Sequence, residues 1–439
     1  MLTNLRSRVQ SIYLSIISSI AFYPALLSIF FFLLSLVMLS LETSEITNFL
    51  IDRANFLVIS DADTARSILG TLIGGILSLM VFSFSMVMIL LNQASSNFSP
   101  RLLPGLISDK SNQLVLGIYL GTIIYNIIVL ISIVSDSDKY TINGLSILIG
   151  IVLGVVCLVM FVYFIHSISI GIQINNILDK IYTQATDRLK DLIEEQEENK
   201  IEASYTLGNY NTFICSKAIY YQGLDVEGIL TAMFQLKVNV RLAPFKGKYV
   251  LPNTVIFTYD KELSDEEVQR LNGYIIYSNS HQAADNYVLR IKQITEVGVK
   301  AMSPGINDPG TAVMTVDYLT EILALRMQLN DREIHSKGES EYVIELNTVN
   351  FGDLLYQMLA AYRQYCKHDI ILMEKLILML KYLLSQPAFD EDYYGHISEQ
   401  LEIIKQDYTA NIENETDRNM LDMLVEKDMF NNRKKKEHS

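Results

Sequence analysis

Residues 68–91 read ILGTLIGGILSLMVFSFSMVMILL, 24 positions without one charged side chain. About 20 apolar residues carry a helix across the hydrocarbon core of a bilayer, so this run is long enough to span a membrane. Three more runs of the same kind flank it: about Ile20 to Leu41 before it, then Leu114 to Ile133 and Leu145 to Ile165 after it. No Asp, Glu, Lys or Arg interrupts any of the four. The first is too long for a cleaved leader, carries Pro24 and lacks a small-residue cleavage site, so it is expected to stay in the mature chain.

Charge divides the chain at the end of the fourth run. Residues 1–170 hold 7 Lys/Arg and 8 Asp/Glu, whereas residues 171–439 hold 28 and 41, so nearly all of the net charge of -14 lies in the second part. The expected fold class is α+β: a four-helix transmembrane bundle, a cytosolic mixed β/α module and a C-terminal helical bundle. The divisions read as a transmembrane domain over 1–173, a helical stalk over 174–203, a mixed module over 204–307, a helical region over 308–430 and a basic tail over 431–439. An acidic balance of this size disfavours nucleic acid as a partner. Cys157, Cys215 and Cys366 lie far apart, without metal or redox spacing, and read as buried thiols.

Orientation follows from basic residues near the span ends. Arg6, Arg8, Arg101, Lys110 and Lys180 fall on one side, against Arg53, Arg66 and Lys139 on the other, which predicts cytosolic termini. Small residues recur every four positions at Gly70, Gly74 and Ser78, at Gly117 and Gly121, and at Ser146, Gly150 and Gly154. That spacing lets membrane helices approach closely, so a tight bundle and a homo-oligomer are expected. Thr71, Gly74, Ser78, Ser85 and Asn92 share one helical face that continues toward Ser96 and Arg101. Two readings of this stripe stand open: a water-filled path, or hydroxyls satisfied within the helices. Asn126 in the third run is a further pore-lining candidate, and His166 ends the fourth at the interface.

The second part alternates strand and helix patterns. Thr212 to Tyr221, Val238 to Leu242 and Thr254 to Tyr259 read as strands, with a helix from Asp225 to Leu236. Gly247-Lys248-Tyr249-Val250-Leu251-Pro252 before a strand resembles small β-barrel modules. Ser264 and Glu267 form a capping box. The densest local feature is Ala301-Met302-Ser303-Pro304-Gly305-Ile306-Asn307-Asp308-Pro309-Gly310-Thr311-Ala312, which joins two helical patterns. Asp308 is placed as N-cap and Pro309 as first helical residue. Ser303, Gly305, Asn307, Asp308 and Thr311 are candidates for a ligand or interface; a purely structural turn is the competing reading. The Asp308 carboxylate argues against a bare anion pocket, because it occupies the same donors. Residues from Asn350 to Met429 read as helix throughout, and the run Ile370 to Leu384 is too short and too charged for a fifth span.

Four strings together resemble a bacterial family of predicted membrane proteins, the domain of unknown function family 2254. They are Gln93-Ala94-Ser95-Ser96-Asn97-Phe98-Ser99-Pro100-Arg101-Leu102-Leu103, Leu116-Gly117-Ile118-Tyr119-Leu120-Gly121-Thr122, Tyr163-Phe164-Ile165-His166, and Ser303-Pro304-Gly305-Ile306-Asn307-Asp308-Pro309. The chain departs from the family pattern at Lys300-Ala301-Met302 and at Gly310. The resemblance implies a bacterial inner membrane and four spans and supplies no activity.

Two functions remain in competition. The first is an oligomeric ion channel or passive pore, lined by the second span, that passes an inorganic ion or small anion. The second is a membrane-anchored sensor or scaffold whose cytosolic part binds a protein or small ligand at the 303–311 turn. The chain carries no P-loop, GxSxG elbow, HExxH or metal-spaced cluster, so neither an enzyme nor a cofactor is expected.

Overall fold

The structure, a computed structural model, describes residues 21–41, 61–97, 110–133, 144–171, 173–198, 211–278, 286–337 and 341–427, with backbone alone at 94–97. The chain divides into two compact units, one holding the apolar helices through Asn176 and one from Ile177 onward. Arg101, the Ser96 side chain and the basic tail 431–439 lie outside the described residues.

In the first unit the apolar runs form α1 (Phe22–Leu41), α2 (Ala62–Asn97), α3 (Lys110–Ser132) and α4 (Gly144–Gly171). All four are long and apolar enough to cross a membrane. The second exceeds its sequence reading by a turn or more at each end: 36 residues make about 54 Å of helix. Arg66 fixes one end of this unit by donating to the carbonyl of Ile133 at 3.0 Å, which satisfies a group left over at the close of α3.

The glycine spacing finds its purpose at α3 and α4. A Cβ on Gly117 would meet Leu27 at 2.6 Å and the Pro24 backbone at 3.1 Å, and one on Gly121 would meet the Phe31 ring at 2.6 Å. On α4, a Cβ on Gly154 would meet Leu72 at 2.9 Å, and one on Gly150 would meet Asn126 at 2.3 Å. α1 therefore lies on one face of α3, while α2 and α4 meet at the other. The glycines of α2 behave differently: Gly70, Gly74 and Gly75 have nothing within 4 Å of a Cβ position.

The second unit opens with α5 (Ile174–Glu198), which begins three residues before that unit. There follow β1 (Asn211–Ile214), β2 (Ile219–Leu224), α6 (Val226–Leu236), β3 (Val240–Leu242), β4 (Tyr249–Val250), β5 (Val255–Tyr259), α7 (Asp265–Asn272) and β6 (Ile275–Ser278). The predicted capping box closes α7: Glu267 accepts from the Ser264 amide at 2.8 Å, and Ser264 Oγ accepts from the Glu267 amide at 3.4 Å. Then come α8 (Tyr287–Ala301), α9 (Pro309–Arg326), β7 (Arg332–Ser336), β8 (Val343–Asn347), α10 (Phe351–Cys366), α11 (Ile370–Ser385), α12 (Asp392–Asn411) and α13 (Glu415–Glu426).

Two sequence readings are corrected here. The region 308–430 is not purely helical, because β7 and β8 complete a five-stranded sheet in the order β1-β5-β3-β8-β7. Their sequences, REIHS and VIELN, are short and polar, with Val343 and Ile344 alone buried, so no apolar alternation marks them. β8 runs parallel to β3, a pairing that needs a long connection. Side chains secure it: Arg241 donates twice to the Glu345 carboxylate at 2.8 Å, and Asn239 accepts from the Val343 amide at 2.8 Å. The strands after the Gly247 turn form no single barrel either. β4, β2 and β6 make a separate antiparallel sheet, and both sheets share one core containing Tyr221, Val250, Ile256, Phe257 and Ile344.

The helices from α8 onward enclose a second interior. Gly298 lets α8 come within reach of the Thr315 and Tyr362 hydroxyls, which hydrogen-bond each other at 2.8 Å. Arg326 is completely buried and donates to Asp331, to the carbonyls of Leu329 and Val349 at 3.0 Å, and to the Tyr287 hydroxyl at 3.1 Å. Burial opposes its charge, but Tyr287 and Asp331 more than offset that, so its pKa rises.

Candidate functional site

Helical periodicity sorts α2 into two opposite faces. Ala62, Ala65, Leu69, Ile76 and Ser83 turn inward and are buried. Thr71, Gly74, Ser78, Ser85 and Asn92 turn the other way and are exposed. Their hydroxyls donate to carbonyls one turn back in the same helix: Thr71 to Ser67 at 2.7 Å, Ser78 to Gly74 at 2.9 Å and Ser85 to Val81 at 2.9 Å. Ser78 and Ser85 line a shallow open groove with Leu77, Val81 and Phe82. The sequence-predicted stripe is therefore a real, outward face of α2.

Asn126 does not belong to it. The residue lies on α3, fully buried, with its oxygen against Gly150 of α4. Sequence reasoning grouped it with the α2 stripe because only polarity was visible, and the turn of α3 relative to its neighbours decides which face it joins. On α3, Asn112, Tyr119, Thr122 and Asn126 recur at intervals of seven, three and four, which puts them on one side of the helix. Gly117 and Gly121, packed on α1, occupy the opposite side. Tyr119 neighbours Ser83 of α2, and Thr122 neighbours Cys157 of α4.

One of these inward residues stands apart. The Tyr119 hydroxyl interacts with Ser83 and Thr122 with Cys157, whereas both amide atoms of Asn126 have no hydrogen-bond partner among the described residues. All of these residues are 0 % exposed. A buried polar group left unpaired costs about 1–3 kcal/mol. The sequence signal for this row was the interval pattern opposite the glycines, which only becomes readable once the glycine face is known.

The turn between α8 and α9 has the predicted local form. Asp308 caps α9, accepting from the Thr311 amide at 3.1 Å and from the Thr311 hydroxyl at 2.5 Å. Asn307 takes a left-handed backbone with φ of 50°, a conformation asparagine tolerates well. The amides of Ile306 and Asn307 donate to the Ser303 carbonyl at 3.0 and 2.9 Å, and that of Asp308 donates to Ala301 at 2.8 Å. Gly305, Asn307 and Asp308 are exposed, Ser303 is partly covered and Thr311 is buried. The side chain of Asp308 thus holds the donor that an anion at this helix end would need.

Sequence reasoning missed what grips α9. Tyr182 of α5 donates to Glu321 of α9, while Tyr318 of α9 donates to Asp179 of α5. The two rings stack with centroids 4.8 Å apart. Further along, Gln196 donates to the Gln328 carbonyl at 3.1 Å and accepts from the Asn330 amide at 2.8 Å. The pairs are far apart in sequence, so only the tertiary structure brings them together.

An uncharacterised protein of Mycobacterium tuberculosis and another of Mycobacterium bovis are each 22% identical to the chain over 375 residues, covering 81% of this chain and 70% of theirs. No solved structure matches it. The model of the family described as predicted membrane protein, domain of unknown function 2254, matches residues 17–382. The chain, with its four apolar helices ahead of a mixed α/β unit, belongs to that family of predicted membrane proteins.

Proposed function

We propose that the protein is an oligomeric channel or passive pore of a bacterial inner membrane, with both termini cytosolic, in which the outward face of α2 lines the path. The observation that carries this reading is a contrast between exposed faces. α1 presents Leu26, Ile29, Phe30 and Leu33, and α4 presents Val152, Val155, Leu158 and Val162, all suited to lipid. α2 instead sets Gly70, Gly74, Ser78, Ser85 and Asn92 among its exposed apolar residues. Small residues let a span of a second copy approach closely. The hydroxyls, although they donate to their own helix, keep lone pairs that water can use. Arg101, nine residues beyond Asn92, would bias permeation at the mouth toward small anions. The reading involves no covalent chemistry and no cofactor.

The test is ion flux from liposomes under a chloride or potassium gradient, with wild type beside Ser85→Leu and Asn92→Leu. Flux that is lost in variants of unchanged oligomeric size supports the α2 path. Equal flux in wild type and variants places the path elsewhere, and no flux from intact oligomers refutes the pore. A second reading, a sensor or scaffold, is favoured by the paired tyrosines: they tie α9, which starts at the exposed 303–311 turn, to α5, which follows the last span.

A further inference from the structure

We infer that the second unit carries a docking surface for an anionic lipid bilayer, formed where residues 214–220 run beside 249–254, and that this contact is independent of the α2 path proposed above. The two segments hydrogen-bond each other. The Cys215 amide donates to the Thr254 carbonyl and the Asn253 amide to the Cys215 carbonyl, both at 2.8 Å, while Tyr220 pairs with Tyr249. Alternation sorts their side chains: Cys215 and Val250 turn into the core, which leaves Ile214, Tyr249 and Leu251 outside, 48%, 49% and 58% exposed. The Tyr220 ring lies against that of Tyr249, with centroids 4.7 Å apart. The outer side of an antiparallel strand is ordinarily polar, because it meets water.

Charge selects the occupant. Residues 171–439 carry 28 Lys/Arg against 41 Asp/Glu, yet no Asp or Glu occurs in 211–224 or in 228–259. Lys217, Lys246 and Lys248 fall within or directly beside the paired segments, and Lys217 and Lys248 are exposed. An acid-free basic edge on a strongly acidic unit is complementary to an anionic surface, and each lysine brought to anionic headgroups strengthens association roughly five-fold. Tyrosine and aliphatic side chains beside lysines suit the boundary between headgroups and acyl chains, where ring and methyl groups enter the apolar layer while hydroxyl and ammonium stay wet. Three apolar side chains cover too little area to hold a second protein, since a stable interface takes about 800 Å² from each partner. A free anion binds lysine but gains nothing from Leu251. The four helices long and apolar enough to cross a membrane keep a bilayer at hand, so even a weak contact is populated.

The test exploits a sequence without tryptophan. Tyr249→Trp, or Leu251→Trp if the first fails to fold, gives the full chain a single indole at this surface. Each variant is reconstituted into vesicles of phosphatidylcholine and phosphatidylglycerol, with and without lipid brominated on its acyl chains, which quenches indole only at short range. Quenching several-fold stronger than that of Tyr365→Trp, an exposed position on α10, is expected. Adding Lys217→Gln and Lys248→Gln, or replacing the phosphatidylglycerol with phosphatidylcholine, should bring it down toward the Tyr365→Trp level. Quenching no stronger than that of Tyr365→Trp overturns the inference. Blue-shifted emission without bromine quenching also overturns it, because the cover is then protein. Quenching that survives the loss of both the lysines and the anionic lipid does so too, since the surface bound is then not an anionic one.

Discussion

Asp331→Ala tests the reasoning about the buried cation of the second unit. The carboxylate of Asp331 accepts from Arg326 and also from the Phe351 amide at the start of α10, at 3.1 and 3.2 Å. Arg326 has no exposed side-chain surface, while Asp331 keeps 20% of its own. Removing the acid leaves the guanidinium buried with only neutral partners, a change that typically costs about 3–5 kcal/mol. For a unit of this size each kcal/mol moves the midpoint by roughly 2–4 °C, so the variant should unfold about 10 °C earlier. Thermal unfolding of the full-length protein in detergent, followed by circular dichroism, reads the shift. The pair Arg326→Met with Asp331→Leu should recover at least half of the loss, because a well-packed apolar pair often replaces a buried ion pair without penalty. A loss below about 1 kcal/mol for Asp331→Ala, the range of an exposed pair, would refute the claim that this charge depends on its buried partner.

Gly298→Ala places a methyl group 2.2 Å from both Thr315 Oγ1 and the Tyr362 hydroxyl, and should destabilise by about 2–4 kcal/mol in denaturant titration, with Tyr362→Phe restoring part. Gly121→Ala should weaken the folded bundle in detergent melts because its Cβ meets Phe31 at 2.6 Å, whereas Gly74→Ala, with open space around it, should leave the melt unchanged. The phenols of Tyr182 and Tyr318 titrate near 12, raised first by their bonds to Glu321 and Asp179. Their contribution is therefore complete below the ordinary phenol value near 10 and is lost as pH rises through 12; phenolate absorbance at pH 11 should show both still protonated, and Glu321→Gln should lower Tyr182. Burial, then the charge of Asp369, pushes the Cys366 thiol up to about 12, so it should resist maleimide at pH 8 until the unit unfolds.

Local signals carried a good deal of this protein. The capping box at Ser264 and Glu267, the Asp308-Pro309 helix start and the strand at 255–259 all rest on neighbours within a few residues, so they were legible in the sequence. The glycines of α3 and α4 were read correctly as close-packing positions, whereas those of α2 lie open, although their spacing is the same. β8 escaped because it pairs with β3, about 100 residues away, and β7 escaped because it joins the sheet only through β8. The candidate site divided in the same manner: the α2 stripe was visible as a periodicity, and the membership of Asn126 was not.

The sequence by itself determined four helices long and apolar enough to cross a membrane and a separate α/β unit, since hydrocarbon imposes a length and an absence of charge that a one-dimensional reading detects. Only the tertiary structure decided which polar residues face outward on α2 and which are enclosed between α2, α3 and α4. The reason is physical: a helix's composition states how much polar surface it carries, but the side on which that surface lies acquires meaning only from what packs against it.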